Sequence, residues 1–424
     1  MRVKIHGPQQ VSGSIEPPSS KAYTHRALVA SLLANGTSSI EKPLSCDDIE
    51  RTIEGIKSLG AQIARGKETI SIVSSGLSDN HETLIQCGES GATLRFLTAV
   101  SAAFPAKTTL TAKGSLSTRP MIPLLLALKT LGAKAELRQD DQSLCVKVAG
   151  TLRGGSVSIP GNISSQFISG LLLAAPSASK NVEIRIPTRL ESRPYVELTL
   201  EIMRRHEVNV EILENGFLVP APQTYSCADH VVPTDFSSAA FALVAGITMG
   251  DGLELQGVRD SPIEPDFAIL SILEEMGVKL GRNGPRIDVP KTELDGFSLD
   301  AHDHPDLVPA LEVLACHAKG RSEIRGVERL VHKESNRLRS LPEELKKMRA
   351  RISLVDDRIV VEGGVGLLGG DLRSHQDHRV AMACATASLA ATGATTIDQA
   401  EVVSKSYPGF YEDLERMGVA LHVE

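Results

Sequence analysis

The 424-residue sequence predicts an α/β chain of two domains, each an inside-out α/β barrel of three βαβαββ-type repeats, six repeats in all. Three observations carry this reading. One signature, an amphipathic helix ending in Leu/Met-Gly-Ala/Val before a strand, returns with a fixed period. A second signature, a polar pair before an Ala/Leu-rich helix, returns with nearly the same period. The Ala/Leu-rich helices are also apolar on every side, so they belong inside, with the sheets outside.

The first signature stands at "SLGAQI" (Gly60), "TLGAKAEL" (Gly132), "EMGVKL" (Gly277) and "RMGVAL" (Gly418), with degenerate copies "RRHEVNVEI" (Glu207) and "KKMRARISL" (Arg349), 69 to 75 residues apart. The second runs from "SSKAYTHRALVASLLANGTSSI" through "GESGATLRFLTAV", "GNISSQFISGLLLAA", "PTDFSSAAFALVAG" and "HPDLVPALEVLACHA" to "QDHRVAMACATASLAA". Each unit thus holds a buried helix, an amphipathic helix such as "DDIERTIEGIKSL", and about four alternating strands such as "NVEIRI". One unit cannot hide its apolar face alone. Three packed about a pseudo-threefold axis can, and six make two such globules.

Composition narrows the function. The charged fraction is 23% and the net charge −7, which disfavours nucleic acid and anionic membrane surfaces as partners. Aromatics make up 3% and Trp is absent, so stacking platforms for single strands are not expected. Six scattered cysteines without a C-x-x-C fit a reducing cytoplasm rather than a disulfide framework or zinc site. The N-terminus "MRVKIHGPQQ" reads as neither a signal nor a transit peptide.

The buried helices carry their polar residues at the start: Ser20 and Lys21; Ser90 and Gly91; Ser164, Ser165 and Gln166; Ser237 and Ser238; Asp306; Asp377, His378 and Arg379. Ser and Asp there serve as N-caps. Lys21, Arg26, Arg95 and Arg379 are different, because a cation in the first turns opposes the helix dipole. An anionic ligand at the same helix ends compensates them. Parallel helices would bring six such ends to one cleft holding a strongly anionic small molecule, or two.

The segments "SSKAYTHRA", "GESGATLRF", "STRPM", "ISSQF", "ESRPYVELT", "HKESNRL", "DHRVAMA" and "SKSYPGF" follow the order seen in the 5-enolpyruvylshikimate-3-phosphate synthases, which the chain resembles over essentially its whole length. The resemblance implies two domains, residues 1–19 with 233–424 on the phosphoenolpyruvate side and 20–232 on the shikimate 3-phosphate side, with the active site in the cleft between them. It implies a monomeric, cytoplasmic transferase without cofactor or metal, acting on shikimate 3-phosphate and phosphoenolpyruvate.

The resemblance also implies roles. Lys21 bridges both substrates, and Arg26 takes the shikimate carboxylate. Ser164, Ser165, Ser192 and Lys333 hold the 3-phosphate, with Ala22 and Tyr195 beside the shikimate. Gln166 touches both ligands. Gly91, Arg119 and Lys405 form the phosphoenolpyruvate phosphate site, Arg337 and Arg379 clamp its carboxylate, and Arg95 adds to the field. Asp306 is the base for the 5-hydroxyl. Glu334 or Lys21 protonates the methylene carbon. His378 lies beside the site, and Tyr407 packs.

Blander readings stand beside these. Lys333, Glu334 and Arg337 also suit i,i+3 and i,i+4 pairs on a solvated helix face, and Asp306 suits an N-cap. His302, His304 and Asp306 in "HDHPD" look ligand-like, but a loop entering a helix explains them.

The chain departs from the family pattern at Ala22, where Ser is usual. Ser20 or Tyr23 is expected to compensate for the lost hydroxyl. Glu89, Ala92 and Phe96 stand where Asn, Thr and Pro are common. Gly91 remains, which points to sensitivity to the inhibitor glyphosate. Two alternatives are a UDP-N-acetylglucosamine enolpyruvyltransferase, disfavoured because "AKGSLSTRP" has no Cys before its arginine, and a non-catalytic anion-binding relative.

Overall fold

Among the described residues, twelve α-helices alternate between two kinds. The computed structural model describes residues 1–76 and 82–424. In chain order the helices are α1 (Lys21–Leu33), α2 (Asp47–Ser58), α3 (Gly91–Ser101), α4 (Ile122–Thr130), α5 (Ser165–Ala174), α6 (Arg193–Arg205), α7 (Phe236–Met249), α8 (Ile269–Glu275), α9 (Val308–His317), α10 (Arg337–Lys347), α11 (His378–Ser388) and α12 (Phe410–Arg416). The odd-numbered helices are buried along nearly their whole length, because they offer Ala, Leu, Ile and Val on all sides. The even-numbered ones leave a polar face exposed, as α2 and α10 do.

Five of the six buried helices begin with a side-chain cap. Ser20 accepts from Tyr23 N, Ser90 from Thr93 N, Ser164 from Gln166 N, Asp235 from Ser238 N and Asp377 from Arg379 N. The exception is α9, which begins after Leu307 with no side-chain cap.

The described strands form six four-stranded sheets of one design. In each, a parallel pair continues into two antiparallel pairings. Ser298–Asp300, for example, pairs parallel with Gly320–Arg325, which pairs antiparallel with Arg358–Gly363, and that with Arg351–Val355. Parallel neighbours need a crossover, and in four of these sheets a buried helix (α3, α5, α9 or α11) supplies it. The Gly position of the first signature makes the tight exit from the outer helix. All six copies have positive φ: Gly60 106°, Gly132 108°, Glu207 61°, Gly277 93°, Arg349 67° and Gly418 85°. The backbone geometry therefore repeats even where the glycine does not.

The chain divides into two compact units, 1–18 with 233–424, and 19–232. Each closes on itself with a strand from far along the sequence. In the unit 19–232, Asp229–Val231 returns to pair parallel with Asn35–Glu41. In the other, Val11–Ile15 pairs parallel with Gly250–Leu255, and Arg2–Gly7 lies between Gly393–Asp398 and Leu421–Val423. Within the unit 19–232 α3 packs on α1 and α5; within the unit 1–18/233–424 α7, α9 and α11 pack pairwise.

Candidate active site

In the unit 1–18/233–424 the starts of α7, α9, α10 and α11 are tied together by charge. Asp306, two residues before α9, accepts from Lys333 Nζ (2.8 Å) and Arg337 Nη1 (3.0 Å), and its second oxygen lies 3.6 Å from Arg379 Nη2. Burial opposes ionisation of Asp306, but Lys333, Arg379 and Arg337 together hold its carboxyl well below the usual range. Its carboxylate therefore serves ions and not a helix end, so the N-cap reading of Asp306 is corrected.

Arg337 is 1% exposed and meets three carboxylates. Its Nε and Nη2 fork onto Asp377 (2.8 and 3.0 Å), Nη2 also donates to Glu334 (2.6 Å), and Nη1 donates to Asp306. Burial works against the Arg337 charge, but Asp377, Glu334 and Asp306 outweigh it and raise its pKa. The solvated-face reading fails here: α10 starts only at Arg337, and Lys333 and Glu334 precede it. Burial pulls Lys333 down to about 8 against the attraction of Asp306, with Arg337 and Arg329 adding repulsion. Arg379 donates to the carbonyl oxygens of Ser237 (3.2 Å) and Asp306 (3.1 Å) and to Ser237 Oγ (2.8 Å). Lys405 Nζ donates to the Gln376 carbonyl at 3.1 Å. His378 is buried beside Arg379, and the Tyr407 hydroxyl donates to Asp413 (2.7 Å), in packing against Phe410.

In the unit 19–232 the cations gather at the starts of α1, α3 and α5. Lys21 Nζ lies 3.1 Å from Asp48 at the start of α2. Arg26 is 2% exposed and donates to Thr199 Oγ1 (2.7 Å), the Ala22 carbonyl (2.8 Å), the Tyr195 carbonyl (3.0 Å) and Ser169 Oγ (3.4 Å). Arg95 Nη1 donates to Gln166 Oε1 at 2.6 Å. A Cβ built on Gly91 would lie 3.2 Å from Arg119 Nη1 and 3.4 Å from Arg95 Nη1, so a side chain there would press on the Arg119 guanidinium and touch that of Arg95. Ser164 and Ser165 are buried at the α5 start. Buried Ser192 precedes α6 in the left-handed region (φ 53°, ψ 43°). A non-glycine residue held there stores backbone strain.

Around Ala22 both neighbouring candidate hydroxyls have partners within the protein. Ser20 Oγ caps Tyr23 N at 3.2 Å, and the Tyr23 hydroxyl meets His230 Nδ1 at 3.2 Å.

Partner residues were the hardest to see in the sequence. Asp377 reads as a cap, yet it is also the anchor of Arg337, 40 positions away. Asp48, Ser169 and Thr199 gave no signal beyond their helices. Among the described residues, no group of three or more His, Cys, Asp or Glu side chains is disposed to hold a metal ion. His302 pairs with Asp300 (2.5 Å), and His304 lies 3.6 Å from Asp266. No helix among them is long and apolar enough to cross a membrane.

Such an array of cations around two or three carboxylates suits polyanionic substrates whose reaction needs both a base and an acid. Comparison with known proteins agrees. Residues 5–414 match the family model described as EPSP synthase (3-phosphoshikimate 1-carboxyvinyltransferase). A protein of Methanocorpusculum labreanum named 3-phosphoshikimate 1-carboxyvinyltransferase is 38% identical over 417 residues, 98% of each chain. One of the same name from Methanothrix thermoacetophila is 40% identical over 414 residues, 96% of each. Among solved structures, the EPSP synthase of Acinetobacter baumannii superposes with a TM-score of 0.83 at 26% identity, covering 100% of this chain and 99% of its own.

Proposed function

Because the chain belongs to the EPSP synthase family, we propose that it transfers the enolpyruvyl group of phosphoenolpyruvate to the 5-hydroxyl of shikimate 3-phosphate, releasing phosphate, with the residues of its two units as the machinery. The observation that carries the assignment of roles is the Asp306–Lys333–Arg337–Arg379 cluster. The enzyme works as a cytoplasmic monomer on two small molecules and needs neither cofactor nor metal.

On this reading Asp306 accepts the 5-hydroxyl proton as the oxygen bonds to C2 of phosphoenolpyruvate, while Glu334 or Lys21 protonates C3. The tetrahedral adduct then returns a proton from C3 and expels phosphate from C2. Ser164, Ser165, Ser192 and Lys333 take the 3-phosphate, and Arg26 the shikimate carboxylate, with Ala22 and Tyr195 alongside. Arg337 and Arg379 take the carboxylate of phosphoenolpyruvate. Gly91, Arg119 and Lys405 take its phosphate, Arg95 contributes to the field, and Gln166 contacts both ligands.

An Asp306 carboxylate clasped by three cations is a weak base. Substrate anions compete for those cations: the 3-phosphate for Lys333, the phosphoenolpyruvate carboxylate for Arg337 and Arg379. Each cation drawn away raises the proton affinity of Asp306. The base therefore reaches strength only when both substrates are bound.

The deciding assay is phosphate release from shikimate 3-phosphate plus phosphoenolpyruvate. Turnover is expected, and Asp306→Asn is expected to lower kcat by about 10²- to 10⁴-fold, the range for a lost general base. Tight binding of both substrates without release would overturn the reading in favour of a non-catalytic anion binder.

A further inference from the structure

Arg26 is a buried cation solvated in an unusual way. Its four hydrogen bonds go to two hydroxyls and two backbone carbonyls, all neutral. Arg337, equally buried, is matched by three carboxylates. The difference has a chemical consequence. A carboxylate partner would cancel the charge and compete with an incoming carboxylate; neutral oxygens do neither. A guanidinium has five N–H groups, so one, on Nη1, remains for a ligand.

A second neutral group shares the work. The Phe96 ring of α3 lies under the guanidinium, with Arg26 Cζ 5.1 Å from the ring centroid. Phe96 is fully buried, where the pull of an aromatic face on a cation is strongest. The motif recurs one residue earlier on the same helix: Arg95 Cζ lies 5.3 Å from the Phe167 centroid. Residues 95 and 96 of α3 thus join two cations to two π faces.

We propose that Phe96 is a positioning residue for shikimate 3-phosphate: its ring face holds Arg26 in place with its charge uncancelled, ready for the substrate carboxylate. The inference rests on the assignment of Arg26 to that carboxylate. Burial pulls Arg26 down to about 10, so it stays protonated at neutral pH without any acidic partner. The face of Phe96 acts on one substrate and leaves the phosphoenolpyruvate clamp of the other unit alone.

The test replaces Phe96 in the full chain with 4-fluoro- and then pentafluorophenylalanine, which keep the shape while draining the ring face. Phe96→Leu serves as the non-aromatic end point. KM for shikimate 3-phosphate should climb through the series, reaching about three- to thirtyfold at its end, the span expected for a desolvated cation–π contact. KM for phosphoenolpyruvate should stay put, and the fluorinated proteins should melt only modestly lower, as the loss of one buried cation–π contact requires. A purely packing role would leave both KM values flat across the fluorinated series, and that result would overturn the proposal. Arg26→Lys is measured in parallel. If it leaves KM for shikimate 3-phosphate unchanged, the assignment of Arg26 itself is lost. If it raises KM while fluorination does nothing, only the role of the ring is lost.

Discussion

Ala22 sits between Lys21 and Tyr23 on the first turn of α1, and its own carbonyl is taken by Arg26. Of the neighbouring hydroxyls, Ser20 caps the helix and Tyr23 turns to His230. Restoring it should therefore add a ligand contact instead of duplicating one. Ala22→Ser is expected to lower KM for shikimate 3-phosphate about fivefold, the value of a ~1 kcal/mol hydrogen bond, with little change in melting temperature. An unchanged KM would show that the shikimate site never uses a hydroxyl at this place. At this scale the sequence is legible where chemistry is unusual for its position. Lys21, Arg26 and Arg379 stand out because cations near a helix start are disfavoured without an anion. Asp377 does not stand out, because an Asp at a helix start is ordinary and its fork onto Arg337 is a tertiary fact.

At the scale of elements, periodicity made the repeats legible, and the left-handed exit at Gly60 and its equivalents is the physical reason for the glycines. Glu207 and Arg349 keep that exit without glycine, so the copies blur in sequence while the backbone does not. Beside Glu207 lies a contact that no local pattern announces. His206 Nδ1 donates to the Ser226 carbonyl (2.6 Å), which leaves its Nε2 as acceptor for His230 Nε2–H (3.0 Å). His230 Nδ1 then accepts from the Tyr23 hydroxyl (3.2 Å). The chain joins α1, the end of α6 and the returning strand Asp229–Val231 with both imidazoles neutral. Arg205, 5.9 Å from the Tyr23 ring, disfavours extra positive charge there, Tyr225 packs edge-on to His206, and Glu201 is the nearby anion. Burial lowers the pKa of His206, and burial with His206 and Arg205 lowers His230 to about 3. An unfolded histidine titrates near 6.5, so between there and about 3 the unfolded chain binds the proton and the native one does not. The stability is whole above pH 6.5 and drains as pH falls, by about 2 kcal/mol for His230 between 6.5 and 5. Melting curves at pH 7 and pH 5 should show a drop that shrinks in His230→Leu, even though that variant is weaker at pH 7. Buried His25 keeps some slope in place. An equal drop in both proteins would remove His230 from the account.

For the whole molecule, six repeats in two sets were readable, but the strands that complete each unit were not. Asp229–Val231 pairs with Asn35–Glu41 across almost 200 positions, and nothing local in either segment names the other. The same division sets the final prediction. The groups assigned to each substrate come from both units. For shikimate 3-phosphate, Ser164, Ser165, Ser192 and Arg26 lie in 19–232, and Lys333 and Asp306 lie in the other. For phosphoenolpyruvate, Gly91, Arg95 and Arg119 face the same division against Arg337, Arg379 and Lys405. Binding free energy can shift the population only through contacts made in one state and not in the other, and a ligand held by both sets makes such contacts. Small-angle scattering should therefore report a smaller radius of gyration with saturating shikimate 3-phosphate than without it. Inorganic phosphate at equal ionic strength should do less, because it lacks the carboxylate and hydroxyls that would engage Arg26 and Asp306. A radius that stays constant with bound shikimate 3-phosphate would contradict closure of the two units on the ligand.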